Sequence, residues 1–288
     1  MIDLTLLPTP WVYVFAGLFG LICGSFFNVV IGRLPKMMEL AWQRDCQAHQ
    51  DVVNPAASSR YNLAVPASHC PSCSTPIAAK DNIPLLSYLL LRGNCRHCAA
   101  PVSIRYPVIE LASAVLIVAC LAWFGLTLEA LAYTVLLWGL LILSAIDIDH
   151  MLLPDQLTLP LLWLGLLGSI SVLPITPSHA ILGAVIGYGF LWSLFWLFKL
   201  LTGKEGLGYG DFKLLAALGA WLGWQLLPLV ILLASFTGAV LGISMIIMGR
   251  KSRNVPIPFG PFLAFGGVLG LFFGDQLYQW YWQWSGLL

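Results

Sequence analysis

The chain has 288 residues, of which 59% are hydrophobic and 9% charged, with a formal net charge of +1 and a mean hydropathy of +0.86. With twelve Trp and fifteen Phe besides, this composition excludes an ordinary soluble domain and points to a polytopic membrane protein. The net charge of +1 says nothing about nucleic acid; the hydropathy makes membrane lipid the expected partner, and no nucleic-acid partner is expected.

A spanning helix needs about 20 mostly apolar residues. Residues 11–31 form the first such stretch, with Ser25 and Asn28 as its strongly polar members. Asp3 is the only charged side chain among the first ten residues. A cleavable signal peptide would start with positive charge, so a retained first helix is expected. A polar region, 32–105, follows. Further spans are expected at 107–124 and 130–146, joined by a turn at Gly125–Glu129. Residues 156–198 carry no Asp, Glu, Lys or Arg, which leaves room for helices at 157–173 and 180–199. The remaining spans fall at 212–224, short and interrupted by Gly219 and Gly223, then at 227–248 and 257–274. The expected fold is an all-α polytopic membrane protein of about eight transmembrane helices with a small zinc-ribbon-like cytoplasmic insert. Its parts are a first helix (1–31), the insert (32–105) and a helical bundle (106–288).

Eight passes with the N-terminus outside put all 14 Lys and Arg on one side: eight in 32–105, three around 199–213, and Arg250, Lys251 and Arg253. The positive-inside rule makes that side cytoplasmic. The aromatic tail from Tyr278 to Trp284 then lies at the outer interface, where amphipathic rings are favoured.

Within the insert stand Cys70-Pro71-Ser72-Cys73 and Cys95-Arg96-His97-Cys98, with 21 residues between them. Each tight turn aims two sulfurs at one point, and four thiolates fill a tetrahedral zinc shell, leaving no position for substrate. The metal would be structural, a staple for a region with few large apolar residues. Disulfides are the alternative, disfavoured in a reducing cytosol. His69 and His97 adjoin the knuckles as alternative ligands; Cys23, Cys46 and Cys120 read as small core residues.

Carboxylates at the ends of apolar segments usually face a polar cavity or do chemistry. Asp147 closes the third span, with Asp149, His150 and Asp155 in the turn after it, and Asp211 opens the sixth after Gly206, Gly208 and Gly210. The topology brings both ends to the same face. Glycines 208 and 210 would allow close approach and an unusual turn beside Asp211. Two such carboxylates could share a proton and divide general-acid and general-base roles. Three other readings stay open on residues alone. Asp211 could be a helix cap, Asp147 and Asp149 could be solvated charges, and Asp147-Ile148-Asp149 could hold a metal in a membrane transferase. An ion carrier using buried carboxylates is a non-enzymatic alternative.

Five blocks of sequence together resemble the prepilin peptidases. These are Gly24 to Val30 with Arg33-Leu34-Pro35; the two knuckles flanking Asp81 to Tyr88; Arg92-Gly93, Ser103 to Pro107 and Glu110; Ser144 to Asp155; and Gly208-Tyr209-Gly210-Asp211. The resemblance implies an aspartic endopeptidase of the G-x-G-D type in a bacterial inner membrane. By the family pattern the first catalytic aspartate lies seven residues before a proline, which selects Asp147 before Pro154 rather than Asp149; the second is Asp211. Asp149 remains a neighbour that could tune the pair, and Gly208 and Gly210 support it. The implied substrates are type IV prepilins and type II pseudopilin precursors, cut after the glycine that ends a basic leader. The resemblance further implies N-methylation of the new terminus with S-adenosylmethionine. Gly93 and its neighbours are candidates for that site through the resemblance alone.

Overall fold

The structure is a computed structural model and describes residues 9–48, 61–204, 206–248 and 257–285. Asp3, Arg60 and the basic group Arg250, Lys251 and Arg253 lie outside the described residues. Nine α-helices occur among the described residues: α1 (Thr9–Ala48), α2 (Leu86–Leu90), α3 (Arg105–Phe124), α4 (Leu128–His150), α5 (Asp155–Gly168), α6 (Pro177–Thr202), α7 (Tyr209–Leu222), α8 (Leu227–Ile247) and α9 (Gly260–Ser285). The chain divides into two compact units, Met1–Thr134 and Val135–Leu288, and the division falls inside α4.

Among the described residues six helices are long and apolar enough to cross a membrane: α1, α3, α4, α6, the segment Trp224–Ile247 and α9. This is a multi-pass membrane protein. Of the eight expected spans, the one at 157–173 is shorter than the hydropathy pattern implied, because α5 has 14 residues; the short one at 212–224 is α7, also of 14 residues. At ~1.5 Å rise per residue each is only about 21 Å long. Helix α7 is enclosed by protein, so its ends need not reach the headgroups. From Asp211 to Leu222 every residue of α7 is buried except Lys213.

In the first unit, α1 and α3 pack through two glycines. A Cβ on Gly20 would stand 2.6 Å from the Ala114 Cα, and one on Gly24 2.6 Å from the Glu110 Cα. The spacing is Gly-x-x-x-Gly, which strips one helix face and lets backbones touch where lipid offers no hydrophobic drive. Helix α1 does not stop at 31 but continues through Pro35 to Ala48. In the second unit the same spacing recurs at Gly183 and Gly187 of α6. A Cβ on Gly183 would fall on the Gly219 carbonyl of α7, and one on Gly219 on the Gly183 carbonyl. Gly165 of α5 lies under the Trp221 ring, whose Nε1–H donates to the Leu161 carbonyl at 2.8 Å. Gly267 of α9 takes the Leu218 side chain. Around α7 the neighbours present glycine: α6 meets it backbone to backbone, while α5 and α9 receive its Trp221 and Leu218 side chains.

Gly219→Val should therefore destabilise the second unit by about 3 kcal/mol or more, overpacking being expensive where backbone is the neighbour. Gly189→Val on α6, where a Cβ meets open space, should be nearly neutral. Thermal unfolding in detergent followed by size exclusion reads both; equal melting of the two variants would contradict this packing.

Candidate functional site

Asp147 lies in the last turn of α4 and is 5% exposed. The helix continues to His150 and ends as Met151 takes a φ of 52°, its N–H donating to the Asp147 carbonyl at 2.9 Å. That left-handed step is the usual way to turn a chain out of a helix, though glycine is its commoner occupant. The turn sends Leu153 back into the protein. A Cβ on Gly210 would lie 2.7 Å from the Leu153 Cβ, and one on Gly260 3.0 Å from its Cδ2. Leu153 is buried between the first turns of α7 and α9. Next to it, the Gly260 N–H donates to Asp147 Oδ2 at 2.9 Å.

Asp211 is 7% exposed at the third position of α7. Its Oδ2 accepts the Gly208 N–H at 3.1 Å, so it reaches back to its own helix cap rather than serving as the cap residue. Gly208 has ordinary extended dihedrals, φ −84° and ψ 147°. The unusual turn expected of Gly208 is absent; only Gly210 of the two glycines is pressed by a neighbour, Leu153. Asp147 lies close enough for its charge to act on Asp211. Both carboxylates thus sit at helix N-termini, where unpaired N–H groups and the helix dipole accommodate an anion. Among the described residues no other protein hydrogen bond reaches either carboxylate, so each keeps an oxygen for a ligand. Lys213 Nζ pairs with both oxygens of Asp155 at 2.7 Å, tying the start of α5 to α7. The pair is partly exposed and adds little stability by itself.

Asp149 is exposed, two residues along α4 from Asp147. Helical positions two apart do not face each other. The pair is therefore poorly placed to hold one metal, and the only grouping of three or more potential metal ligands among the described residues is elsewhere.

That grouping is Cys70, Cys73, Cys95 and Cys98, whose sulfurs all lie within 4.8 Å of one another. The Sγ atoms of Cys70 and Cys98 are 3.8 Å apart. Tetrahedral zinc with Zn–S bonds of ~2.3 Å needs S···S edges of about 3.8 Å, so the cluster fits such an ion. His69 and His97 are not in the cluster; His69 Nδ1 lies 3.1 Å from the Ala67 carbonyl.

The knuckles are two copies of one turn. Cys70, Cys73, Pro76 and Ile77 recur 25 residues later as Cys95, Cys98, Pro101 and Val102. Ser74 and Ala99 share left-handed φ values of 57° and 55°, and isolated bridges pair His69 with Pro76 and Asn94 with Pro101. The repeat was readable as Cys-x-x-Cys-x-x-Pro but went unnoticed. Gly93 precedes the second copy with a φ of 72°, and a Cβ there would stand 3.0 Å from the Tyr88 ring. Sequence reasoning also missed Gly260. Its signal was Gly260-Pro261 at the start of the last span, a helix-start pattern whose free N–H attracts an anion.

Residues 18–124 match a model of the bacterial peptidase A24 N-terminal domain, and residues 134–243 match the type IV leader peptidase family. A prepilin leader peptidase/N-methyltransferase of Aeromonas salmonicida is 52% identical over 275 residues, 94% of each chain. The protein of the same name from Pseudomonas aeruginosa is 52% identical over 270 residues, 93% of each chain. That from Aeromonas hydrophila is 53% identical over 274 residues, 94% of each. No solved structure matches the chain.

Proposed function

The chain belongs to the type IV leader peptidase family, and from that premise we propose that it removes the leader of prepilin and pseudopilin precursors and then N-methylates the exposed terminus. The peptidase chemistry is assigned to Asp147 and Asp211. The observation that carries this is their arrangement: two buried carboxylates within electrostatic reach, each fixed through one oxygen by a backbone N–H.

In this reading one carboxylate is ionised and takes a proton from water, while the other is protonated and hydrogen-bonds the scissile carbonyl. The water oxygen adds to the carbonyl carbon. The C–N bond then breaks, its electron pair staying on nitrogen, which takes up a proton to leave as the amine. Fixing each carboxylate by backbone keeps its remaining oxygen aimed without rotamer loss. The basic leader would stay in the cytosol, the apolar segment behind it in the bilayer, and the scissile bond at the inner interface of a bacterial inner membrane. The metal-transferase alternative finds no support in the separation of Asp147 from exposed Asp149.

Cys70, Cys73, Cys95 and Cys98 would hold a structural zinc ion that stitches the two knuckles together. S-adenosylmethionine is the proposed methyl donor.

Asp147→Asn and Asp211→Asn should each lower cleavage of a prepilin N-terminal peptide by about 100-fold or more. Wild-type rates in both would sink the assignment. Gly260→Ala places a Cβ 2.7 Å from Asp147 Oδ2; displacing that carboxylate should lower kcat at least tenfold, on the scale of a misplacement of about 1 Å. An unchanged kcat in folded protein would count against the Gly260 contact. Purified protein should carry one zinc per chain by atomic emission. Its removal should depress methylation at least as much as cleavage, and full methylation by verified metal-free protein would refute the coupling.

A further inference from the structure

The first unit contains a cleft of about 540 Å³, walled by α1, the start of α3, the segment 81–94 and the two knuckles. None of the peptidase residues lines it. The volume lies within the ~300–1,000 Å³ range of small-molecule sites. At its floor is Glu110, 8% exposed in the first turns of α3.

Glu110 Oε2 accepts the Leu85 N–H at 2.8 Å, and the Ser25 hydroxyl bonds the same carboxylate. Leu85 is held in a γ-turn, φ 55° and ψ −46°, with the Leu86 N–H donating to the Pro84 carbonyl at 2.5 Å. This turn is rare and strained for a residue with a side chain, and strain of this kind gathers at ligand clamps. The strained turn points a backbone donor at the one buried acid of the cleft.

The two arginines that line the cleft, Arg33 and Arg96, are engaged elsewhere. Arg33 donates to the carbonyls of Asn62 and Leu63 at 3.1 and 3.2 Å. Arg96 holds both oxygens of Asp81, its Nε 2.9 Å from each. A carboxylate offers about four acceptor sites, of which two are used here. A buried acid with spare acceptors and no basic partner among the described residues calls for a cation from the ligand. Tyr88, packed on Gly93 at the cleft wall, supplies an aromatic ring for a planar base or a positive centre.

We propose that this cleft binds the methyl donor, with Glu110 as counter-charge to its sulfonium centre and Tyr88 beside it. The assignment rests on the methyltransferase reading above. When bound, the donor supplies a methyl group to the amine nitrogen: the N–C bond forms, the C–S bond breaks with its electron pair passing to sulfur, and the ammonium releases one proton to water. The acceptor amine is a second cation in this reaction, but a cleft of this volume suits a nucleoside-sized molecule rather than one terminal residue.

The test is equilibrium binding of S-adenosylmethionine and of its neutral-sulfur product, S-adenosylhomocysteine, to the full-length protein in detergent. Glu110→Gln keeps size and hydrogen bonding while removing the charge. It should weaken S-adenosylmethionine binding about tenfold or more and change the product's affinity by less than about threefold. Zinc content and melting profile serve as folding controls. Unchanged donor affinity with a raised KM for a leaderless peptide would move Glu110 to the acceptor amine and overturn the proposal. Equal weakening of both ligands would overturn the sulfonium contact. Photo-cross-linking of radiolabelled donor to the unmutated protein should label peptides within 25–110; label confined to 135–285 would overturn the cleft. A wild-type protein that neither binds donor nor methylates peptide sinks the methyltransferase reading itself. Binding and methylation that ignore Glu110 sink only this assignment.

Discussion

Carboxylates surrounded by hydrocarbon need donors, and in the second unit those donors are the free N–H groups that every helix leaves at its start. Asp147 takes the Gly260 N–H at the head of α9, and Asp211 takes the Gly208 N–H at the head of α7. Much else follows from this pairing. The start of α9 must come against the end of α4, which removes the side chain at 260. The turn after α4 must fold inward, which Met151 achieves with its left-handed step, and Leu153 fills the space the reversal leaves.

Close helix contact is the second half of the same solution. Helix α7 is too short to span and carries a buried acid, so it must be covered by protein. Gly183 and Gly187 on α6, Gly165 on α5 and Gly267 on α9 let three helices approach it closely, α6 to backbone contact and the other two to contact with the Trp221 and Leu218 side chains. The first unit repeats the device with Gly20 and Gly24 on α1 against α3, and there it sets Glu110 beside the cleft.

Charge-free runs and their limits made the helices legible in the sequence, and paired knuckles made the cysteine cluster legible. These signals are local or depend on counting. Helix lengths were less so: hydropathy does not distinguish a helix shielded by lipid from one shielded by protein, which is why α5 looked longer than it is and the short α7 counted as a span. The run-on of α1 to Ala48 was hidden because polar composition and Pro35 both read as an ending. Asp147 was separated from Asp149 by the family pattern, and only burial gives a physical ground for the difference. The Gly260 donor was hidden because an N–H group is common to nearly every residue, and its use depends on which chain ends meet.

Holding both acids by main chain has a consequence for how this protein tolerates change. No side-chain replacement deletes a peptide N–H except proline, so a mutational scan would not see these two contacts as polar ones. At position 260 it would register crowding, because a methyl group collides with Asp147 Oδ2. At position 208 it would register little, since the nearest atom to an added Cβ is 3.5 Å away. Two equivalent electrostatic supports would thus carry opposite substitution profiles. One would look indispensable and the other dispensable, although an amide-to-ester exchange would strip the same hydrogen bond from each.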